Sequence, residues 1–425
     1  MRILALGSRG AAVELLQLAL AREGSSAPGI DGIFGKETEN ALRRFQKSRG
    51  LSPDGIAGRE THRALLPWYT GYTLYRLKKG DSIFAIAQSF GINPAAIELA
   101  NPWLNPNRLE VGSTIIVPLP FDVVPTDISY SSALVAYCVR GLAVRYPFLG
   151  VGEIGKSVMG RPLWRLSLGS GDSRVLYNAS HHANEWICTP LLLKFTEQLC
   201  AAFTAGGSIY GINAGEILSA ASIHLIPAVN PDGIDLVNGE ITQGEFYRQT
   251  RNIAAAYPQF SFPQGWKANI RGTDLNLQYP ADWEQAKANK YAQGITSPAP
   301  ADYVGTYPLS APESRAMYDY TLALSPELVL AYHTQGEVIY WQYKDLEPPR
   351  AREIADVLAE VSGYPLEQTP YNSAFAGYKD WFIQSFNRPG YTIEAGKGTN
   401  PLPISQFDKI YGDNLGLLVL AAMWA

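Results

Sequence analysis

The prediction of the fold rests on one short stretch, His181-His182-Ala183-Asn184-Glu185-Trp186-Ile187. An apolar run, Val175-Leu176-Tyr177, precedes it and is typical of a buried strand. Thr189 and Pro190 follow and mark a helix start, because threonine caps helices and proline is tolerated in the first turn. The histidines and the glutamate therefore lie between a strand and a helix, where open α/β sheets place their sites.

His182 and Glu185 are separated by two residues, so one turn can aim both side chains at a single point. Imidazole and carboxylate together suit zinc, which needs a third protein ligand and keeps an open position in catalytic sites. A surface turn can contain the same two polar residues. The pair alone therefore does not decide between a metal site and a solvated turn.

Apolar runs of strand and helix length alternate through the rest of the chain, which predicts an α/β fold with a mostly parallel sheet covered on both faces. The strand-like runs are Trp164–Leu168, Val175–Ala179, Ile223–Val229, Leu328–Tyr332, Val338–Tyr343 and Tyr391–Glu394. The helix-like runs are Pro190–Phe203, Pro312–Leu324, Pro349–Val361, Lys379–Phe386 and Leu415–Ala425.

Five motifs, in this order, resemble those of the zinc carboxypeptidase family. They are His182-Ala183-Asn184-Glu185-Trp186-Ile187, Asn230-Pro231-Asp232-Gly233, Gly272-Thr273-Asp274-Leu275-Asn276, His333-Thr334-Gln335 and Thr392-Ile393-Glu394. The resemblance implies an α/β/α sandwich around a mixed eight-stranded sheet. It also implies a zinc peptidase in which His182, Glu185 and His333 hold one zinc ion per chain.

The same resemblance assigns roles to other residues. Asp274 matches the aspartate that accepts a hydrogen bond from the first zinc histidine and fixes its tautomer. Glu394, at the end of an apolar strand, matches the general base. Lys267 occupies the place of the arginine that steadies the scissile carbonyl oxygen, and Arg271 is an alternative for this role. The two remain unresolved at this point.

The motifs leave two candidates for the tyrosine that covers the substrate. Tyr371 matches the mobile-loop tyrosine that covers the substrate, but its spacing to Trp381 is one residue longer than expected. Tyr378 is therefore a competing candidate.

Leu277 is the main departure from the family pattern. It stands where typical carboxypeptidases carry the arginine that grips a C-terminal carboxylate, whereas Asn276 is retained. Arg271 or Lys397 is an alternative source of such a grip. The departure favours the bacterial γ-D-glutamyl-diamino-acid endopeptidases, a subgroup that the chain resembles in its Ala-Asn-Glu-Trp-Ile string.

Two further modules precede the peptidase segment. The turn Asp31-Gly32-Ile33-Phe34-Gly35 is echoed by Asp54-Gly55-Ile56-Ala57-Gly58, and the surrounding helices resemble a peptidoglycan-binding domain. The strand–helix–helix–strand order that follows resembles a LysM module, which binds N-acetylglucosamine-containing glycans. The predicted segments are residues 1–68 (helical bundle), 70–119 (LysM), 120–127 (linker) and 128–425 (peptidase).

The composition argues against other partners. The net charge of −4 offers no basic surface for nucleic acid, and no run of like charge predicts membrane binding. The segment Met1–Gly7 has too short an apolar core for a secretory signal. We therefore expect action in the cytoplasm of a sporulating cell, or at the cell wall after lysis or non-classical release.

The sequence as a whole predicts a zinc-dependent hydrolase of peptidoglycan stem peptides. Its expected target is the bond between γ-D-glutamate and a diamino acid, either meso-diaminopimelate or lysine. One alternative is a general metallocarboxypeptidase that removes C-terminal residues. Another is a cell-wall-binding protein without catalytic activity, which the intact set of candidate ligands argues against.

Overall fold

The computed structural model describes residues 2–24 and 29–425. Residue 1 and residues 25–28, which belong to the predicted helical bundle, lie outside the described residues. The chain divides into two compact units, Met1–Ser129 with Ala133–Gly150 and Tyr130–Ser132 with Val151–Ala425. The predicted boundaries at residues 68–70 and 119–128 remain predictions.

The amino-terminal unit holds six helices and two strands within the described part of the chain. These are α1 (Ala11–Glu23), α2 (Lys36–Ser48), α3 (Arg59–Thr70), β1 (Tyr72–Arg76), α4 (Ile83–Phe90), α5 (Pro94–Ala100), β2 (Thr114–Pro118) and α6 (Ser132–Arg145). Helix α6 belongs almost entirely to this unit, although the sequence placed its residues in the peptidase segment.

The repeated turns are held by the same side-chain arrangement. The amide of Gln17 donates to Asp31 Oδ1 at 2.8 Å. The amide of Gln46 donates to Asp54 Oδ1 at 2.9 Å. Each glutamine is buried, so the aspartate satisfies a polar group that burial would otherwise leave unpaired. The internal repeat is thus a repeat of structure as well as of sequence.

The LysM-like segment forms a two-stranded antiparallel sheet with two helices. Strands β1 and β2 pair from Tyr72 with Pro118 to Arg76 with Thr114. Ser82 caps α4 by accepting a hydrogen bond from the Ala85 N–H, which satisfies a helix-end donor. The predicted strand–helix–helix–strand order is confirmed.

The second unit contains the remaining strands and helices. They are β3 (Gly150–Lys156), β4 (Pro162–Leu168), β5 (Ser173–Ala179), α7 (Cys188–Thr204), β6 (Ser208–Ile209), β7 (Ile212–Asn213), α8 (Ala214–Ala220), β8 (Ala221–Ile226), α9 (Pro231–Val237), α10 (Gly244–Ala255), α11 (Trp283–Ala292), α12 (Pro312–Leu324), β9 (Leu328–His333), β10 (Val338–Tyr340), α13 (Ala351–Ser362), β11 (Leu366–Glu367), α14 (Tyr378–Phe386), β12 (Gly390–Glu394) and α15 (Phe407–Trp424).

The main sheet has eight strands in the order β11-β10-β12-β9-β5-β8-β4-β3. Its centre, β12-β9-β5-β8, is parallel, whereas β10 and β4 run antiparallel to their inner neighbours. The predicted mixed eight-stranded sheet is confirmed. Strand β9 is buried along its whole length, as expected for a strand in the interior of a covered parallel sheet.

The parallel centre brings three strand ends to one edge. Glu394, the last residue of β12, pairs in register with His333, the last residue of β9. Ala179, the last residue of β5, pairs with Tyr332 on the other side of β9. The turn that contains His182 therefore begins beside His333.

The helices in residues 2–24 and 29–425 differ in length and apolar character from a membrane-spanning helix. No single one is both long and apolar enough to cross a bilayer. Helices α4 and α5, which meet at a bend of 108°, reach the required length and composition only when taken together.

Gly141 in α6 gives a test of how this helix packs in the amino-terminal unit. A Cβ at this position would lie 2.1 Å from the carbonyl oxygen of Thr70 and 2.7 Å from Val123 Cγ1. We expect Gly141→Ala to destabilise this unit by about 1–3 kcal/mol, the usual cost of overpacking. Scanning calorimetry should show a lower unfolding temperature for the transition of this unit.

Gly412 is the matched control, because it also lies within a helix and a Cβ there meets no atom within 4 Å. Gly412→Ala should leave stability unchanged or raise it by about 0.5–1 kcal/mol, since alanine restricts the unfolded chain. Equal unfolding temperatures for Gly141→Ala and the parent would contradict the close packing of α6.

Candidate metal centre and active-site cleft

Hydrogen bonds to the Lys267 segment and from Asn230 hold the turn after β5. His182 precedes a single 3₁₀ turn, Ala183–Glu185, and the N–H of Ala183 donates to the carbonyl of Lys267 at 2.9 Å. The side-chain amide of Asn230 donates to the carbonyl of His181 at 3.2 Å and to that of Ala268 at 3.0 Å. Asn230 thus fastens the histidine turn to the segment that carries Lys267.

Three side chains from this turn and from β9 converge. His182 Nδ1 lies 3.0 Å from Glu185 Oε1, and His333 Nδ1 lies 2.9 Å from Glu185 Oε2. The two Nδ1 atoms are 3.2 Å apart. Among the described residues, this is the group of three or more histidine, cysteine or acidic side chains that could hold a metal ion.

The donor set fits zinc. Asp274 Oδ1 lies 3.1 Å from His182 Nε2 and accepts a hydrogen bond from it, which leaves a lone pair on Nδ1 in the neutral ring. Lone pairs and a carboxylate that face one another at these distances repel unless a metal ion or a proton lies between them. Two nitrogens on one tetrahedral zinc lie about 3.3 Å apart for Zn–N distances of about 2.0 Å. The observed 3.2 Å separation matches this geometry.

Asp274 is held in place for this role. It begins the 3₁₀ turn Leu275–Leu277 and accepts a hydrogen bond from the Asn276 N–H at 3.1 Å. Its second oxygen accepts from the Asp302 N–H at 3.1 Å. The carboxylate is 3% exposed, so its contact with His182 is shielded from water.

Glu394 and Lys267 face the same cleft. Both line the cavity that also contains His182, His333 and Asp274. Lys267 Nζ lies 3.4 Å from Glu185 Oε1, and about a third of its side chain is exposed. The cleft therefore combines the metal-ligand cluster, a carboxylate and an ammonium group.

The pKa shifts follow from burial and from these contacts. Burial disfavours a charged His182, but Glu185 and Asp274 outweigh burial and raise its pKa to about 9. Burial also opposes ionisation of Glu185, yet His182 and Lys267 hold the pKa of that carboxyl well below its usual value. Because histidine must be deprotonated to bind a metal, zinc binding at this site should release a proton.

Glu394 shifts in the opposite direction. Burial and the nearby Glu185 carboxylate raise the pKa of Glu394 to about 8. A divalent cation held by Glu185 would reverse the sign of the local charge and favour the ionised form of Glu394. A bound cation would therefore lower the pKa of Glu394 again.

The geometry separates the two candidates for the oxyanion role. Lys267 lines the cleft, whereas Arg271 is exposed and lines a different cavity beside Tyr257 and Tyr307. Three residues separate the two positions, and the two side chains line different cavities. Of the two, Lys267 is the residue that lies beside the candidate metal ligands.

The two tyrosine candidates, Tyr371 and Tyr378, also differ in where their side chains lie. Tyr371 is 64% exposed and lines a neighbouring cavity with Phe375. The backbone of Tyr378 borders the cleft, but its side chain is buried and its hydroxyl bonds Thr321 at 2.9 Å. The Tyr378 hydroxyl is therefore committed to the core. The assignment of a substrate-covering tyrosine remains a prediction for Tyr371.

The substrate-binding candidates fall into two groups, those that line the cleft and those that lie outside it. Asn276 and Leu277 line the cleft, and Leu277 is 8% exposed. Lys397 lies elsewhere, 70% exposed, with its Nζ 2.6 Å from Glu337 Oε2. The alternative in which Lys397 or Arg271 reaches a substrate carboxylate thus has no support from their positions.

Sequence reasoning missed two charged pairs that line the cleft. Lys290 pairs with Asp302 at 2.6 Å, and Lys379 pairs with Asp380 at 2.6 Å. Neither pair stands at a strand end, so the signal that identified His333 and Glu394 was absent. For Lys379 and Asp380, two adjacent charges before a tryptophan resemble the solvated start of a helix.

Comparisons with known families agree with this architecture. Residues 136–416 match the zinc carboxypeptidase family, residues 9–65 a peptidoglycan binding domain and residues 75–118 a LysM domain. The latter two domains imply binding to peptidoglycan.

Individual relatives cover most of the chain. It is 42% identical over 291 residues to gamma-D-glutamyl-L-diamino acid endopeptidase 1 of Lysinibacillus sphaericus, covering 68% of this chain and 72% of the relative. It is 40% identical over 330 residues to the uncharacterized protein YqgT of Bacillus subtilis (strain 168), covering 77% and 81% respectively.

A solved structure shares the fold at lower identity. Carboxypeptidase A from Helicoverpa armigera aligns with a TM-score of 0.54 at 20% identity, over 71% of this chain and 75% of that one. The family match covers more than half of the chain, and the family implies zinc at a site where His182, Glu185 and His333 converge. The chain belongs to the zinc carboxypeptidase family.

Proposed function

We propose that this protein hydrolyses the bond between γ-D-glutamate and the following diamino acid in peptidoglycan stem peptides, with one zinc ion per chain. The observation that carries the proposal is the cleft in which His182, His333, Lys267 and Glu394 face one cavity. The 42% identical endopeptidase of Lysinibacillus sphaericus supports the choice of substrate.

The roles of the residues follow from their positions. His182, Glu185 and His333 would hold the zinc ion. When bound, zinc supplies Lewis acidity, which polarises the scissile carbonyl and lets a water molecule lose its proton near neutral pH. Glu394 accepts that proton and delivers it to the amine that leaves, so no net proton is consumed at the carboxylate.

Lys267 supplies the positive charge that faces the carbonyl oxygen of the substrate in this proposal. Attack of water moves negative charge onto the carbonyl oxygen of the substrate, and the Lys267 ammonium stabilises that charge electrostatically. Lysine acts here as a point charge without the bidentate geometry of arginine. Its attachment to the histidine turn through Ala183 and Asn230 keeps the charge in register with the metal ligands.

Leu277 sets the endopeptidase character in this proposal. An arginine at that position would offer a charge-assisted hydrogen bond to a terminal carboxylate, worth about 1.5–3 kcal/mol. Leucine offers none, and neither Arg271 nor Lys397 lines the cleft. A substrate that continues beyond the diamino acid should therefore be accepted.

The two amino-terminal modules support a polymeric substrate. A peptidoglycan binding domain and a LysM domain on the same chain raise the concentration of the catalytic unit at the cell wall. This contribution concerns insoluble wall material and leaves the chemistry in the cleft unchanged.

The function is tested with defined stem peptides and product masses. From L-Ala-γ-D-Glu-meso-diaminopimelyl-D-Ala the zinc-loaded protein should release the dipeptide diaminopimelyl-D-Ala. Tripeptides with a free α-carboxylate or an α-carboxamide on the diamino acid should be cleaved at rates within about tenfold, because Leu277 offers no charge-assisted bond to that carboxylate.

Other products would identify the rival functions. Release of D-alanine alone from the tetrapeptide, or a preference of 100-fold or more for the free acid, would indicate a general metallocarboxypeptidase. No cleavage by a protein that retains zinc would indicate a wall-binding protein without activity.

The ligand assignment is tested by metal content. His182→Ala and His333→Ala should each lose zinc, because two protein ligands hold the ion far less well than three. His224→Ala is the control, since His224 bonds Ser222 and Tyr320 away from the cleft. Elemental analysis after dialysis should find zinc in the control alone, and full retention in His333→Ala would reject the assignment.

Glu394→Gln tests the base. The amide keeps the size of the side chain but cannot accept a proton, so turnover should fall about 10²–10⁴-fold while zinc is retained. Glu337→Gln is the control, because Glu337 pairs with Lys397 and Lys409 rather than with the cleft. Turnover of Glu394→Gln within about tenfold of the parent would show that another group is the base.

A further inference from the structure

A second cavity of the catalytic unit lies beside the cleft and has no part in the proposed chemistry. Its volume is about 850 Å³, which is within the range of cavities that hold small organic ligands. Tyr257, Tyr303 and Tyr307 line it, together with the side-chain amides of Gln249 and Asn252 on α10. We call this cavity the tyrosine groove.

Arg271 is the one charged residue among those that line the tyrosine groove. Its side chain is exposed, and no hydrogen bond or ion pair of its guanidinium is found within residues 2–24 and 29–425. In the same part of the chain, no partner is found for the hydroxyl of Tyr307, a residue that is 61% exposed. The groove therefore combines aromatic surface with hydrogen-bond donors that are available to a ligand.

The tyrosine groove and the cleft share one wall. Thr273 lines the groove and Asp274 lines the cleft, and Tyr303 and Asp302 divide in the same way. The Asp274 N–H donates to the carbonyl of Tyr303 at 2.8 Å, so the two segments lie side by side. Consecutive Cα atoms are about 3.8 Å apart, so a substrate in the cleft needs an extension of only a few residues to reach the groove.

The wall lies next to the metal ligands. Asp274 contacts His182 at 3.1 Å, and the diamino acid is assigned to the Leu277 end of the cleft in the proposed function. The acyl part of the substrate, γ-D-glutamate and L-alanine, must leave the metal ligands in another direction. An extension that passes Asp274 and Asp302 enters the tyrosine groove.

We propose that the tyrosine groove binds the N-acetylated sugar to which the stem peptide is attached. This inference rests on the proposed function. In peptidoglycan, a lactyl group joins the L-alanine of the stem peptide to N-acetylmuramic acid. The γ-D-glutamyl, L-alanyl and lactyl units together span about 10 Å when extended, which is enough to cross the shared wall.

An N-acetylated sugar matches the surface of the groove. The C–H groups on one face of its ring can pack on a tyrosine ring such as that of Tyr307, and tyrosine loses little conformational entropy on binding. Its acetamido carbonyl accepts hydrogen bonds, and the guanidinium of Arg271 donates them. A polyanion fits less well, because the groove lining offers a single cation.

The first experiment uses the zinc-loaded full chain and three soluble peptides of the sequence L-Ala-γ-D-Glu-meso-diaminopimelate. They carry an acetyl, an N-acetylmuramoyl or an amino-free muramoyl group on the alanine nitrogen, so that all three have an amide there. We expect kcat/KM for the N-acetylmuramoyl peptide to exceed that for the acetyl peptide about tenfold, mainly through KM. The muramoyl peptide lacks the acetamido carbonyl and brings an amino group towards Arg271, so it should lose this gain.

The second experiment measures the ratio of kcat/KM for the N-acetylmuramoyl peptide over the acetyl peptide in variants. Tyr307→Ala removes the aromatic surface, and Arg271→Met keeps a long side chain without hydrogen-bond donors. Each change should bring the ratio to within about threefold of one, because each removes one of the two contacts with the sugar.

Two variants serve as controls for this ratio. Arg352 is an exposed arginine that pairs with Asp356 on α13 and lines neither cavity, so Arg352→Met should keep the ratio of the parent. Trp103 is a 66% exposed aromatic residue of the LysM-like segment. Trp103→Ala should also keep the ratio, since the gain on a soluble peptide arises in the tyrosine groove.

The outcomes separate this inference from the proposed function. Equal kcat/KM for the three peptides would keep the function and overturn the role of the groove. A gain that persists in both Tyr307→Ala and Arg271→Met, or in the peptide without the acetyl group, would also overturn it. Cleavage of none of the peptides would reject the function itself. Because the peptide series needs no variant, the inference stays testable if a variant fails to fold.

Discussion

The buried carboxylate of Glu185 is the constraint on which the arrangement of the catalytic unit depends. Only 1% of this residue is exposed, and a charge in such a place is costly unless cations or hydrogen-bond donors approach it. His182, His333 and Lys267 approach it from the turn after β5, the end of β9 and a separate loop. The sheet edge must therefore be assembled before Glu185 is stabilised, which couples the fold to the metal site.

Strand register and the side-chain amide of Asn230 bring together the segments that surround Glu185. Parallel pairing of β9 with β5 and β12 fixes His333 beside Glu394 on one side and beside the histidine turn on the other. Asn230 then joins that turn to the Lys267 loop through carbonyl oxygens that would otherwise be buried without donors. The backbone segments that carry His182, His333, Glu394 and Lys267 are thus held relative to one another.

The sequence was most informative where physical signals were local. Buried strands such as β5 and β9 are apolar runs with clear ends, and residues at those ends, including His333 and Glu394, could be identified as candidates. Strand β3, Gly150–Lys156, was missed because its three glycines give a weak strand signal. The strand predicted to reach Val229 ends at Ile226, because Pro227 cannot donate a ladder hydrogen bond.

Charged residues on irregular segments were not predictable in this way. Lys267 and Arg271 lie in one loop, and which of them turns inward depends on tertiary contacts that leave no periodic signal. The same is true of Lys379 and Asp380, whose burial contradicts the usual solvation of adjacent charges. Their place in the lining of the cleft became apparent only from the structure.

The charge balance of that cleft explains why these groups occur together. The acidic and lysine side chains around the cavity and the ligand cluster are Glu185, Asp274, Asp302, Asp380, Glu394, Lys267, Lys290 and Lys379. When all are ionised, five carboxylates face three ammonium groups, and this leaves two positive charges missing. Burial together with the Glu185 carboxylate raises the pKa of Glu394, and Glu185 and Asp274 raise the pKa of His182 against the effect of burial. A divalent cation held by His182, Glu185 and His333 would offset this excess of negative charge and favour the ionised form of Glu394.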